Sequence, residues 1–252
     1  MLYNFNMLKR VRPALILLFL FYLGLQASIT GRAQPDQKIN ILTPGEGSVV
    51  TAPIDLRAMV HPGGDGLIRV TLIDRQGNLL ARQLLRLNPS DAEIIPFTTS
   101  VAFEIPFDST PALLTIATQD DAHRPLTLRS VQLTLQRTGE EIIEIQAPND
   151  PWLSITNPKS GEIITQSPLV VSGTVIPVNS RPIVFELVSE SGGVIISKQL
   201  PVSQPGVALD FEVPIIFTPS PAAHDMLLVI RQTAQDYHAD IILDSLPLIL
   251  SP

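Results

Sequence analysis

Ile41-Leu-Thr-Pro44-Gly-Glu-Gly47-Ser-Val-Val50-Thr51 returns later in the chain as Ile155-Thr-Asn-Pro158-Lys-Ser-Gly161-Glu-Ile-Ile164-Thr165. Further on, Leu128-Arg-Ser130-Val-Gln-Leu133-Thr-Leu135 is matched by Leu243-Asp-Ser245-Leu-Pro-Leu248-Ile-Leu250. A spacing of about 115 residues is far longer than a solenoid or propeller period and suits a whole small β domain, so the chain reads as one domain written twice.

Working outward from those two stretches, the apolar pattern has period two and breaks about every 8 to 15 residues at Pro, Gly, Asn or Asp, which is strand spacing. Ile68, Val70 and Leu72 alternate with Arg69 and Thr71 before the turn Asp74-Arg-Gln-Gly77; Ile183, Phe185 and Leu187 alternate likewise before Ser189-Glu-Ser-Gly192. Each turn offers a glycine for a positive φ. Seven strands are expected in the first copy, near 39–43, 53–60, 67–74, 78–86, 100–105, 112–118 and 126–137. Seven more are expected in the second, near 153–156, 168–175, 182–189, 193–200, 207–213, 226–232 and 240–250. No segment has a convincing helical period. The expected fold is therefore all-β, two tandem seven-stranded immunoglobulin-like β-sandwiches at 34–138 and 152–252.

The closing strands carry a finer signal. Leu126 and Leu128 sit on one parity while Val131, Leu133 and Leu135 sit on the other. Such a slip turns later side chains to the wrong face unless a bulge absorbs it, which places an expected bulge at Arg129-Ser130 and its counterpart at Asp244-Ser245. Pro247 cannot donate to a ladder and is expected toward an edge. Residues 139–151, acidic and then rich in turn formers through Pro148 and Pro151, read as a semi-rigid linker.

The N-terminus reads as an export leader over residues 1–33: Lys9, Arg10 and Arg12 precede an apolar run from Ala14 to Ala27, and small residues follow up to Ala33. The run is shorter than the roughly 20 apolar residues that cross a bilayer. Cleavage after Ala33 is expected, with Ala27 as the alternative site; retention of residues 14–30 as an anchor is the other reading. The absence of cysteine excludes lipoprotein attachment, disulfides, thiolate metal sites and cysteine nucleophiles, leaving stability to packing. Without its four leader cations the chain keeps 13 basic against 24 acidic residues, a net charge of −11 that repels nucleic acid and anionic lipid.

The opening Ile-x-x-Pro-x-x-Gly-x-x-Val/Ile, a Pro-led strand (Pro53-Ile-Asp-Leu56; Pro168-Leu-Val-Val171), a small residue (Ala58; Gly173) and the later Asp/Ser-x-x-Gly hairpin together resemble bacterial immunoglobulin-like domains of the kind associated with spore germination and other exported proteins. The resemblance covers both copies. It implies accessory modules that hold, space or adhere, with no shared catalytic residues to carry over. Ala58 and the longer segment from Leu85 to Thr99 depart from the pattern in the first copy.

Four histidines, His61, His123, His224 and His238, stand in turns or loops without a motif. A serine with His224 and Asp225 could be imagined as a triad, but no Gly-x-Ser-x-Gly elbow exists, and Ser160-Gly161 belongs to a turn that the first copy writes as Glu46-Gly47. Asp120, Asp121 and Asp236 lie in comparable loops where calcium could bind, yet no Asp-x-Asp-x-Asp-Gly loop is present. Trp152 is expected at the domain junction, which leaves Tyr237 with His238 as the one aromatic pair able to face a sugar. No residue is assigned a catalytic, cofactor-binding or metal-binding role, and no cofactor is expected. The expectation is a non-enzymatic, exported scaffold or interaction protein of the bacterial envelope. It would engage an unknown protein or cell-wall partner through loops or a sheet edge, without nucleic acid, touching membrane only through a retained N-terminal segment. A carbohydrate- or peptidoglycan-binding module and a secreted hydrolase are the alternatives.

Overall fold

The apolar alternation read before each predicted hairpin turn marks strands that lie one in from either edge of a sheet. Leu67–Asp74 and Ile183–Ser189 each pair on both sides, and their inward residues, Ile68, Val70 and Leu72 in the first and Ile183, Phe185 and Leu187 in the second, are fully buried. The structure, a computed structural model, describes residues 38–63, 65–87, 94–146, 151–218 and 222–251. The leader lies outside these residues, as do 147–150 of the linker.

The described chain is all-β. The first half holds β1 (Ile39–Thr43), β2 (Val49–Val50), β3 (Ile54–Val60), β4 (Leu67–Asp74), β5 (Leu79–Arg86), β6 (Ile95–Val101), β7 (Ser109–Gln119) and β8 (Pro125–Gln136). The second holds β9 (Leu153–Asn157), β10 (Glu162–Ile164), β11 (Leu169–Val175), β12 (Ile183–Ser189), β13 (Val194–Leu200), β14 (Leu209–Ile215), β15 (His224–Thr233) and β16 (Asp240–Leu250). The eighth strand of each half is a short segment, β2 or β10, laid parallel on the last strand. Three strands, β1-β3-β6 or β14-β11-β9, make a small sheet in each half. The remaining strands belong to one ten-stranded sheet, ordered β13-β12-β15-β16-β8-β7-β4-β5 with β10 and β2 alongside. Each half has its own core, drawn from both of its layers: Leu56, Val70, Leu114 and Leu133 in the first, Val171, Phe185, Leu228 and Leu248 in the second.

The halves meet where β8 and β16 pair antiparallel, Thr127 opposite Asp244, Leu128 opposite Leu243 and Arg129 opposite Ile242. In the repeat, Leu128 corresponds to Leu243, Thr127 to Ile242 and Arg129 to Asp244, so the pairing is that of a local two-fold axis through Leu128 and Leu243. Residues beyond β8 are tied down too. Ile142 exchanges backbone hydrogen bonds with Val49 in both directions, 2.8 and 2.9 Å, and Gly45 N–H donates to Glu144 C=O at 2.7 Å. Gln37–Pro252 accordingly form one compact unit.

Three details differ from the sequence reading. The fifth strand of the first copy is Ile95–Val101 rather than 100–105. The alternating Val101, Phe103 and Ile105 are core residues that continue past the end of the ladder, while the centre of the strand itself is polar, Thr98-Thr99-Ser100. The bulges fall at Leu126 and Ile241, near the starts of β8 and β16, not at Arg129-Ser130 and Asp244-Ser245. Beyond them β8 alternates without a break, and Thr127 and Arg129 share the inward parity of Val131. Leu126 and Leu128 point to the other face because a further apolar cluster lies there, made by Val188, Leu227, Val229 and Leu243 of the second half. Pro247 sits inside the sheet, opposite Leu227, where β16 changes neighbours from β8 to β10; its missing N–H falls in the gap between those ladders.

Candidate functional site

The polar residues that converge most closely do so at the junction. Asp244 accepts hydrogen bonds from Arg129 Nη2 at 2.8 Å, Thr127 Oγ1 at 2.8 Å and Trp152 Nε1 at 2.5 Å. Arg129 also donates through Nη1 to the carbonyls of Leu128 and Leu243, and its guanidinium stands 5.8 Å from the Trp152 ring centroid. Sequence placed Trp152 at the junction; its bond to Asp244, about 90 residues away, left no local signal. Above this cluster a cleft of about 650 Å³ opens between the halves, lined by Glu46, Arg129, Gln132, Gln146, Trp152 and Asp236. Trp152 is only 5% exposed, so it offers no stacking face to a sugar ring. Tyr237 is also buried, its hydroxyl held by Arg75 of the first half; burial pushes its pKa up despite that cation. The Tyr237–His238 pair is therefore not an exposed platform.

A second network crosses the outer face of the large sheet. Arg231 binds Glu186 through Nε and Nη2, at 3.1 and 2.9 Å, and Asp240 through Nη1 at 2.9 Å. Burial raises the Asp240 carboxyl even beside that guanidinium. The geometry is that of a structural staple, one guanidinium shared between two carboxylates.

The remaining candidate residues are dispersed, except that His224 and Asp225 share the lining of one cavity with Ser189 and Ser191. His61 Nδ1 contacts the Pro62 carbonyl at 3.1 Å and His123 Nδ1 contacts Gln119 Nε2 at 3.0 Å. Asp120 closes its own turn, accepting from Arg124 N and Nε at 2.8 and 2.7 Å, while Asp121 is exposed. Among the described residues no three His, Asp or Glu side chains are grouped to hold a metal ion. His224 and Asp225 are consecutive strand residues and point to opposite faces, so the aspartate cannot orient the imidazole as a triad requires. Ser160 lies in an exposed turn.

A cavity of about 840 Å³ opens at the far edge of the second half between β13 and the end of β14. Its walls are apolar, Leu187, Ile195, Ile196, Ile216, Phe217 and Met226, and Glu190 and Asp225 stand at its rim. Nothing in the alternation of β13 or β14 distinguished this seam from its counterpart in the first half.

No protein-family model and no curated protein sequence matches the chain. Among solved structures it is similar to dimeric latent PorU from Porphyromonas gingivalis, with 9% identity and a TM-score of 0.25 over 84% of this chain and 24% of that one. The chain thus spans about a quarter of that protein's length, and a likeness at this TM-score carries no argument.

Proposed function

We infer that the chain is a non-catalytic, exported scaffold and interaction protein of the bacterial cell envelope, made of two immunoglobulin-like domains in tandem. The observation that carries this reading is the continuous sheet through β8 and β16, which fixes two ligand-presenting bodies in one orientation. A strand-to-strand ladder backed by the Arg129–Asp244–Trp152 cluster resists hinge motion far better than a linker alone, which is what a spacer requires. The three-strand sheet facing β5-β4-β7-β8, repeated in the second half, supports the immunoglobulin-like reading of each half. The leader, with its basic start and apolar run, supports export.

Expressed with its leader in a bacterial host, the protein is expected in the exported fraction. Photo-crosslinkers placed at Leu84 and Ile195, exposed on the two edge strands, are expected to trap defined protein partners. Recovery in the cytosol, or turnover of an ester, glycoside or peptide that disappears on replacing His224, overturns the reading.

A further inference from the structure

The two halves close the same seam differently. In the first, Gln83 on β5 reaches across to the facing sheet, donating from Nε2 to the Ser100 carbonyl at 2.7 Å and accepting from Thr99 Oγ1 at 3.0 Å. Register assigns the equivalents in the second half: Lys198 stands where Gln83 does, and Val213 and Pro214 stand where Thr99 and Ser100 do. The Thr99 half of that stitch cannot be rebuilt, because a lysine has no acceptor and valine has no polar side-chain atom.

Edge protection differs in the same sense. The free edge of β5 is guarded by Arg82 and Arg86, whereas β13 begins Val194-Ile195-Ile196 and carries one charge, Lys198. Ile195 is 59% and Ile216 69% exposed, so apolar side chains lie open around the cavity mouth. At its rim Glu190 and Asp225 form no ion pair among the described residues.

We propose that this seam is a docking groove for an extended, apolar segment of another protein that bears flanking Lys or Arg, which adds as a strand to the free edge of β13. The unpaired backbone of β13 supplies main-chain hydrogen bonds, the cavity takes alternate apolar side chains, and Glu190 and Asp225 receive the cations. The proposal rests on the reading of the chain as an interaction protein and names the partner's chemistry.

The test is fluorescence anisotropy on the whole mature chain with the labelled peptide Lys-Val-Thr-Val-Thr-Val-Lys and its counterpart ending in Glu. The basic peptide is expected to bind saturably, and the acidic one at least about tenfold more weakly. Ile216→Glu is expected to abolish binding, Leu84→Glu on the opposite edge to leave it unchanged, and the pair Glu190→Lys with Asp225→Lys to reverse the preference. All these positions are exposed, so the fold tolerates the changes. No saturable binding up to about 1 mM, the weak limit of specific affinity, or equal loss with Leu84→Glu overturns the groove. If light scattering shows a dimer that Ile216→Glu converts to monomer, the occupant is a second copy and the proposal also fails. Localisation and turnover, which decide the broader reading, are not moved by any of these outcomes.

Discussion

Arg129 and Asp244 occupy the same position of the repeat, yet one is a cation and the other an anion, and they meet across the local two-fold. A homodimer of either half would face like charges there; two halves of different sequence on one chain can carry an opposed pair instead. The arrangement costs desolvation at a site where Arg129 is 7% exposed, so removing one partner is worse than never having had either. Asp244→Ala is expected to destabilise the protein by about 3–5 kcal/mol, lowering Tm by roughly 10 °C in thermal unfolding followed by circular dichroism, with Asp244→Asn milder because its carbonyl still accepts from Trp152. Glu141 shows a smaller effect with a defined pH signature. Thr51 donates its N–H and its hydroxyl to Oε1, each at 2.7 Å, and these bonds hold the carboxyl below its ordinary range. The folded state therefore releases the proton more readily than the unfolded one. The contribution is fully present above the ordinary carboxylate range and is lost as pH falls through the depressed value. Glu141→Gln is expected to cost a few tenths of a kcal/mol near neutral pH, since the site is exposed, and nothing near pH 2. A cost independent of pH would contradict this origin.

At the scale of single elements, β11 shows how a departure between copies acquires a cause. Both first-layer ladders shift register at the same place, next to Ala58 in β3 and Gly173 in β11. A Cβ on Gly173 would lie 2.1 Å from the Ser154 carbonyl oxygen, whereas the first copy accommodates Ala58 fully buried. Gly173→Ala is thus expected to cost about 2 kcal/mol or more in chemical denaturation by displacing β9; an unchanged midpoint would refute the close approach. The hairpin strands β4, β5, β12 and β13 were legible to within a residue because a glycine-bearing turn, Asp74 to Gly77 or Ser189 to Gly192, separates each pair of apolar runs. The failures share one physical origin. Leu126 and Leu128 looked like a phase error because sequence offers one core per domain, whereas β8 is covered on both faces where the second half meets it. Val101, Phe103 and Ile105 looked like a strand because burial and pairing produce the same alternation. The open seam beside β13 was hidden for a different reason: it depends on which residues of two sheets come together, here Ile196 of β13 and Phe217 beyond β14, a relation that no local pattern encodes.

At the scale of the whole molecule, the two-fold pairing makes the halves energetically interdependent. Leu113 and Ile73 of the first half pack with the second half's core, and Leu126 and Leu128 pack with Val188, Leu227, Val229 and Leu243. Leu243 and Leu227 are buried although they point away from the second core, so either half unfolding alone would expose apolar surface on the other. Burial of that kind couples domains that a bare linker would leave independent. Calorimetry of residues 34–252 is accordingly expected to show one transition with equal calorimetric and van't Hoff enthalpies. Leu128→Glu places a charge opposite Leu243 on the two-fold itself while leaving both main cores intact, and is expected to split the transition in two. It should also broaden the distance distribution between spin labels carried on the two halves. If the wild type already unfolds in two steps, the shared sheet is a contact and not a coupling, and the two bodies are presented independently of one another.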